Sequence, residues 1–424
     1  MEKKMKKIKT TILILFFSTS ILISSSKDLT YKQINLLLDV LKYTEENYVE
    51  EVDKTKLLNS AIKGMLKPLD PFSQFLEPDD YKELKVETEG QFGGLGIRIT
   101  VQDNWITVIT PLPGTPAYKA GILPNDKIIK IEGESTYGMS INEAVKRLRG
   151  TPGTKVNITI AREGVKEPID FTIIRDIIKI EVIKYKMLQD KIGYIALFEF
   201  NSNSYKDISK ALEELKKQGV KSLILDLRNN PGGLLDQAVN IAKLFIGENK
   251  LIVYTEGRKS PRKEYRADQN APYADLPMVV LVNRGSASGS EILAGALQDN
   301  KRAILIGSRT FGKASVQSVI DLGDGYGLKL TTAKYYTPSG RCIHRDESVK
   351  SSTATVGGIL PDIVIEVPAE IEAKLYQQRE EIYTPGKGPV SAVKKEEQVE
   401  DVVLNRAIDI LKAIRIYSEM NQQR

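Results

Sequence analysis

The chain has a single cysteine, Cys342, and a single histidine, His344, in 424 residues. One cysteine excludes an intrachain disulfide framework and a cysteine-based metal site. One histidine excludes a multi-histidine metal centre, and a Ser-His-Asp hydrolase would have to use that one residue. His344 sits in Arg-Cys-Ile-His-Arg, beside charged loop-like sequence, and reads as a surface residue. Any hydrolytic chemistry therefore turns to lysine for its base. Basic and aromatic residues nowhere interleave in a stripe, which argues against a nucleic-acid partner. The formal net charge of +6 is mostly an N-terminal effect, since residues 1–26 carry five lysines and one glutamate.

Apolar residues make up 41% of the chain and charged residues 27%, the balance of a folded globular protein, and the length allows two or three domains. Residues 1–9 are basic, and residues 10–26 are apolar and hydroxyl-rich. That is the layout of an export signal, with Ser24, Ser25 and Ser26 as a small-residue cleavage site. The alternative is an uncleaved membrane anchor, for which the run is short. No cysteine directly follows it, which excludes a lipoprotein attachment, and the chain holds no other transmembrane candidate.

Residues 28–66 read as two helices. Ile34, Leu37, Leu38 and Leu41 form one apolar stripe, and Leu57, Ala61, Ile62 and Met65 another. Pro68 and Pro71 stop the second. Packing or dimerisation is their expected role. Residues 90–175 change to glycine-rich loops and alternating strands, with a helix-like Ile141–Leu148 and a strand Val156–Ile160. Residues 177–340 alternate strand and helix, which argues for an α/β core. Residues 369–383 look helical, 384–389 form a Pro/Gly linker, and 401–416 form an amphipathic helix suited to core packing or subunit contact.

The chemistry gathers in residues 283–317. A strand-like run, Pro277–Asn283, feeds a small-residue turn that opens an apolar-periodic helix. Serines there are ordinarily caps. A serine on a tight strand-to-helix turn also exposes its hydroxyl, and a helix N-terminus offers amides to a developing anion. Lys313 follows Ser288 by 25 residues, set among Phe311, Ala314 and Val316 with no acid adjacent in sequence. A lysine serves as a base only when neutral. Its free pKa is about 10.4, and apolar burial lowers it. Gly232 and Gly233 lie past the strand Leu223–Arg228, so loops at one sheet edge bring them toward Ser288. Read alone, they are a structural turn.

The runs Gly-Ser-Ala-Ser-Gly-Ser-Glu (285–291) and Thr-Phe-Gly-Lys-Ala-Ser-Val-Gln (310–317) resemble the nucleophile and base segments of the carboxyl-terminal processing proteases of Ser/Lys type. Gly289 and Ala314 replace the family's usual Ala and Gly. The resemblance implies Ser288 as nucleophile, Lys313 as base and Gln317 as the amide orienting it. It implies an oxyanion hole from Gly232, Gly233 and Gly289. It leaves Ser286 and Ser290 as caps, Glu291 and Asp299 as helix-end or surface charges, either of which could instead tune the site, and Tyr335 and Tyr336 as core residues. The segment order over 90–175 resembles a PDZ domain, with Gly94, Leu95, Gly96 and Ile97 as its carboxylate-binding loop. Consecutive amides there suit a terminal carboxylate, and the next strand suits an added peptide strand. Arg149 is a candidate partner for an acidic group.

The expected architecture is multidomain α+β. An export signal or membrane anchor (1–26) precedes an N-terminal helical region (27–88), a PDZ-like peptide-binding domain (89–176), an α/β serine protease core (177–368) and a C-terminal helical segment (369–424). The expected function is an exported serine endopeptidase that takes substrates by their free C-termini, without metal or cofactor. Its expected location is the bacterial periplasm or the extracytoplasmic membrane face, with self-association through the terminal helices. The competing readings are a tail-binding adaptor with an inactive core, against which the intact Ser288, Lys313 and Gln317 argue, and another serine acyl hydrolase such as an esterase, against which the PDZ-like region argues.

Overall fold

The computed structural model describes residues 29–345, 357–382 and 399–422. The expected export segment, the linker at 384–389 and most of the polar stretch after His344 lie outside the described residues. Among the described residues no helix is long and apolar enough to cross a membrane. The described residues fall into two compact units, 29–78 with 319–330, and 79–318 with those from 331 onward.

In the first unit, the two expected helices are α1 (residues 29–47) and α2 (Lys54–Leu66). Asp53 caps α2 by accepting the Lys56 amide at 3.0 Å. Strand β1 (Gln74–Leu76) pairs antiparallel with residues 327–329. Those residues follow a turn in which Asp324 and Gly325 both have positive φ, as a two-residue hairpin loop requires. Phe75 stacks on Tyr326 at 5.4 Å. Ile34, Leu37 and Leu38 of the α1 stripe are exposed.

The second unit opens with α3 (Pro78–Glu89). Then come β2 (Gln91–Gly94), β3 (Ile97–Gln102), β4 (Trp105–Pro111), α4 (Pro116–Ala120), β5 (Lys127–Ile131), β6 (Glu134–Ser135), α5 (Ile141–Leu148), β7 (Lys155–Ala161), β8 (Ile169–Ile174) and β9 (Asp176–Lys179). An antiparallel sheet runs β3-β4-β5-β7-β8, and β2 pairs with β9. Alternation decides which face is inside: Val156, Ile158 and Ile160 are buried, whereas Lys155 and Asn157 are exposed. They join Leu95, Ile106, Val108 and Ile128 in one core. Ser140 caps α5, which packs against β3 and β5. β3 ends the sheet order, so its outer edge is available to another strand.

The rest of the unit is a doubly covered sheet. The elements from here to the end are β10 (Ile183–Met187), β11 (Ile192–Leu197), α6 (Ser204–Lys217), β12 (Ser222–Asp226), α7 (Leu235–Lys243), β13 (Leu251–Glu256), β14 (Lys263–Arg266), β15 (Met278–Val282), α8 (Gly289–Asp299), β16 (Ile304–Gly307), β17 (Ser315–Gly323), β18 (Tyr326–Tyr336), β19 (Ile363–Val364), α9 (Ala369–Ile382) and α10 (Val402–Gln422), with residues 319–330 of β17, β18 and their turn belonging to the first unit. The sheet order is β10-β11-β12-β15-β16-β19, parallel from β11 onward. Strands covered on both sides read as continuous apolar runs, and β15, Met-Val-Val-Leu-Val, is wholly buried. Val280 and Val282 face the core made with α6, α7 and α8, and Val279 and Leu281 face Val403, Ala407 and Leu411 of α10. The carboxyl ends of β11, β12, β15 and β16 lie at one sheet edge, so the loops that follow them meet there.

Candidate active site

Three of those loops build the site. After β15, the Asn283 side chain accepts the amides of Asn229 (2.8 Å) and Gly285 (3.0 Å). Ser286 accepts the Asn283 amide at 3.0 Å and donates to the Leu227 carbonyl at 2.8 Å. Ser290 donates to the Asn230 carbonyl at 2.9 Å. Ser286 and Ser290 are thus not the helix caps expected of them. Both are fully buried between two loops whose backbone groups need partners, and their hydroxyls supply these.

Ser288 stands at the N-terminus of α8 with φ 51° and ψ −111°. That conformation costs a non-glycine residue about 1–3 kcal/mol and persists only where the surroundings over-determine it. The loop after β12 comes up against it. A side chain on Gly232 would lie 2.7 Å from each of the Ala287 oxygen, the Gly289 nitrogen and Ser288 Cβ, and Gly232 has φ 102°. Glycine is the residue that permits this approach. Phe200 holds the glycine pair by donating its amide to the Gly232 carbonyl (2.8 Å) and accepting the Leu234 amide (2.7 Å). The Gly232 amide itself donates to Asn230 Oδ1 at 2.9 Å. That bond does not fit its expected role as an oxyanion donor, and Gly232 contributes close approach instead. A side chain on Gly289 would lie 3.5 Å from the Gly233 nitrogen, which places Gly233 and Gly289 side by side.

Glu291, expected as a helix-end or surface charge with tuning of the site as the alternative, lies in the first turn of α8 and has no exposure at all. Its Oε1 accepts the Thr310 hydroxyl (2.6 Å) and the Gly312 amide (2.7 Å). Its Oε2 accepts the amides of Ser288 and Lys313, each at 2.9 Å. Burial pushes its carboxyl above the usual glutamate range, while the hydrogen bonds to Thr310, Lys313, Gly312 and Ser288 pull the other way. The acid absent from the sequence around Lys313 therefore arrives from α8. Its sequence signal was Ser288-x-x-Glu291, a capping-box pattern, of which the glutamate half is formed.

Tyr335 is 1% exposed, as a core residue should be, but its hydroxyl also works in the site. It donates to the Lys313 carbonyl and lies 3.1 Å from the Ser288 carbonyl. Burial pushes its phenol well above the ordinary range, so it stays a neutral donor. Tyr336 is half-buried and stacks on Tyr254 at 4.9 Å.

Lys313 is half-buried at the entry to β17. Ala314, where a glycine was the expected residue, is fully buried with an ordinary negative φ and accepts the Tyr335 amide through its carbonyl at 2.9 Å. Gln317 Nε2 donates to the hydroxyls of Ser315 (2.9 Å) and Thr331 (3.3 Å), which fixes the amide plane on the strand face shared with Ser315. Asp299 is largely buried and accepts the amide (2.9 Å) and hydroxyl (2.7 Å) of Ser339, with Arg341 beside it. It belongs to the far end of α8 and not to the serine. His344 is half-buried where exposure was expected, because Ile343 beside it joins the core.

In the β-rich domain, Leu95 is buried and accepts the Ala117 amide at 3.0 Å, and the Gly96 carbonyl accepts the Leu112 amide at 2.8 Å. The carbonyls of the 94–97 loop are thus turned to partners within the domain. A groove of about 300 Å³ lies alongside, with Phe92 and Val145 as apolar lining and Lys82, Glu83, Lys146 and Arg149 as charged lining. Arg149 packs over the Phe92 ring at 4.4 Å and sits 3.8 Å from Glu83, so an acid from the same chain meets it. Asp79 pairs with Lys146 at 2.8 Å.

Three family models match the chain: peptidase family S41 over residues 191–365, PDZ domain over 107–162, and the activating protease CtpB N-terminal domain over 21–80. A carboxy-terminal-processing protease of Bartonella bacilliformis is 40% identical over 94% of this chain and 94% of its own. The carboxy-terminal processing protease CtpA of Bacillus subtilis is 37% identical over 81% of this chain and 71% of its own. Among solved structures, a photosystem II D1 C-terminal processing protease aligns at 33% identity over 78% of this chain and 92% of that one, with a TM-score of 0.44. With a relative this similar along nearly the whole length, the chain belongs to the carboxy-terminal processing proteases, serine-type peptidases of family S41 that carry a PDZ domain.

Proposed function

We propose that this chain is an exported endopeptidase in which Ser288 and Lys313 form the catalytic dyad and substrates are presented by their C-termini. The observation that carries the reading is the placement of Ser288. It is held in a strained conformation at a helix N-terminus, with Gly232 pressed against it and its amide tied through Glu291 to that of Lys313. Ser288 Oγ attacks the scissile carbonyl carbon as neutral Lys313 takes its proton. The oxyanion is met by the amides of Gly233 and Gly289. Lys313 passes the proton to the leaving amine, then accepts one from the water that opens the acyl-enzyme. Gln317 orients the lysine without adding the charge that would keep it protonated.

The substrate tail adds as a strand to the open edge of β3, its carboxylate received by the amides of the Gly94–Ile97 loop with Arg149 near Gly94. Residues 1–26 direct export and favour membrane association, and the exposed apolar stripe of α1 favours self-association. A labelled unfolded peptide, with its C-terminus free or amidated, tests the reading. The free acid should be bound and cut by the wild type, bound but not cut by Ser288→Ala, and the amidated form bound more weakly. Binding without cleavage by the wild type would establish the adaptor reading instead. Equal handling of acid and amide would remove the tail-recognition step.

A further inference from the structure

The loop that brings Gly232 and Gly233 to Ser288 is anchored at its root by a buried charge cluster. Arg228, 6% exposed, donates to both oxygens of Asp226, with Nε at 3.0 and 3.1 Å and Nη2 at 2.7 Å. Asp226 also accepts the Tyr194 hydroxyl at 2.7 Å. The other edge of the guanidinium is taken bidentately by Asp401, Nη1–Oδ1 at 2.8 Å and Nη2–Oδ2 at 2.7 Å. Asp401 lies 173 residues downstream and begins α10, where its Oδ1 also accepts the Leu404 amide at 3.0 Å. One carboxylate therefore starts the C-terminal helix and grips the arginine.

Charge balance does not call for that second carboxylate. Asp226 alone neutralises Arg228, and each further buried ion carries a desolvation cost. A geometric role accounts for it better. Between Arg228 and the glycines every residue with an amide is pinned. The Asn229 amide and side chain meet Asn283. Asn230 donates to the Leu197 carbonyl and accepts the Gly232 amide. Fixing the guanidinium at one end therefore fixes the glycine pair at the other.

We propose that Arg228 is a positioning residue through which Asp401, at the start of α10, sets the loop carrying the Gly233 amide, so that the protease is complete only while Asp401 grips the guanidinium. This rests on the reading of Ser288 and Gly233 given above.

The test uses Asp401→Asn in the full chain. Asparagine caps a helix as well as aspartate does, and the remaining Arg228–Asp226 pair is neutral, so the variant should fold. Leu411→Ala is the matched control, since Leu411 is 2% exposed on the same helix and its loss loosens packing without touching Arg228. The readouts are kcat and KM on an unstructured peptide, and the affinity of a peptide aldehyde whose hemiacetal oxygen needs the oxyanion amides. Asp401→Asn should lower kcat roughly tenfold or more with KM nearly unchanged, and weaken the aldehyde by a similar factor. Leu411→Ala should lower Tm and leave kcat alone at temperatures where it is folded. Wild-type kcat and aldehyde affinity in Asp401→Asn would overturn the proposal, as would an equal kcat loss in Leu411→Ala. Should Asp401→Asn not fold, Arg228→Lys keeps the charge and loses the fork. Lowered kcat at unchanged KM in that variant supports the proposal, and wild-type kcat overturns it. Cleavage by Ser288→Ala would overturn the underlying reading instead, whereas an inert Ser288→Ala beside a fully active Asp401→Asn would overturn this proposal alone.

Discussion

Ser288 and Lys313, 25 residues apart in sequence, donate their backbone amides to one atom, Oε2 of Glu291, at 2.9 Å each. Tyr335 repeats the link on the carbonyl side, its hydroxyl meeting the carbonyls of the same two residues. The spacing of the two segments is thus set by groups that never reach a substrate. A carboxylate that receives four donors must be ionised to accept them all, because a protonated oxygen donates.

Glu291→Gln should therefore be nearly inactive while still folded. Its NH2 faces two donors, each left unsatisfied at about 1–3 kcal/mol. A fall in kcat of the order of a hundredfold is expected on an unstructured peptide, and full activity would remove Glu291 from the site's support. The pH signs oppose each other. The raised carboxyl pKa makes the native state hold its proton more tightly than the unfolded chain does. Stability then falls as pH rises from the ordinary glutamate value through the raised native one, and is level above it. Activity rises across the same window. Glu291→Gln should lose this part of both slopes.

Lys313→Arg should be inert, since a guanidinium does not give up its proton in a protein. Ser288→Ala and Lys313→Ala should look alike, with the double variant little worse, if the proposed pair acts as a unit. Gln317→Ala should be milder, and His344→Ala should keep most activity. An active Lys313→Arg beside a dead His344→Ala would transfer the base to histidine.

Gly232→Ala should lose activity by a factor on the order of a hundred or more, because the new Cβ must displace Ser288, Gly289 or Ala287. Gly164→Ala is the control. It has a similar positive φ with nothing within 4 Å, so it should lose some stability and no activity. Equal kcat in the two variants would mean that the approach to Ser288 has no catalytic consequence.

Asp299 answers acid in the opposite sense to Glu291. Burial alone would raise its pKa, but Thr337, Ser339 and Arg341 outweigh this and hold it below the ordinary range. Its contribution to stability is complete above the ordinary aspartate value and is lost as pH falls through the lowered native one. Asp299→Asn should cost about 1–3 kcal/mol near neutrality and flatten the acid limb of the stability curve. Denaturant titrations at several pH values would show it, and an unchanged acid limb would count against it.

The sheet was legible because its strands are buried on both faces, which writes runs such as Met278–Val282 and Leu223–Leu225 as unbroken apolar segments. The serine and lysine segments were legible through their motifs. Glu291 was legible only as an alternative, because a glutamate three residues into a helix looks the same whether its carboxylate meets water or three donors from another loop. Ser286 and Ser290 misled for a related reason, since their partners come from the loop after β12, some 60 residues away. The Arg228–Asp401 bond spans a sequence distance at which no periodicity speaks.

The dependence of Thr310 on Ile359 has a consequence for how the molecule is made. Thr310 supplies one of the four donors to Glu291, and is itself held by two bonds to the Ile359 backbone, at 3.1 and 2.6 Å. Domains assemble from the N-terminus as a chain is synthesised. Ser288 is therefore translated about 70 residues before the segment that steadies its support. On the proposed reading, a nascent chain completes its tail-binding domain while the support of Ser288 is still unfinished. On the proposed reading, self-digestion during synthesis is thereby disfavoured by the order of residues along the polypeptide.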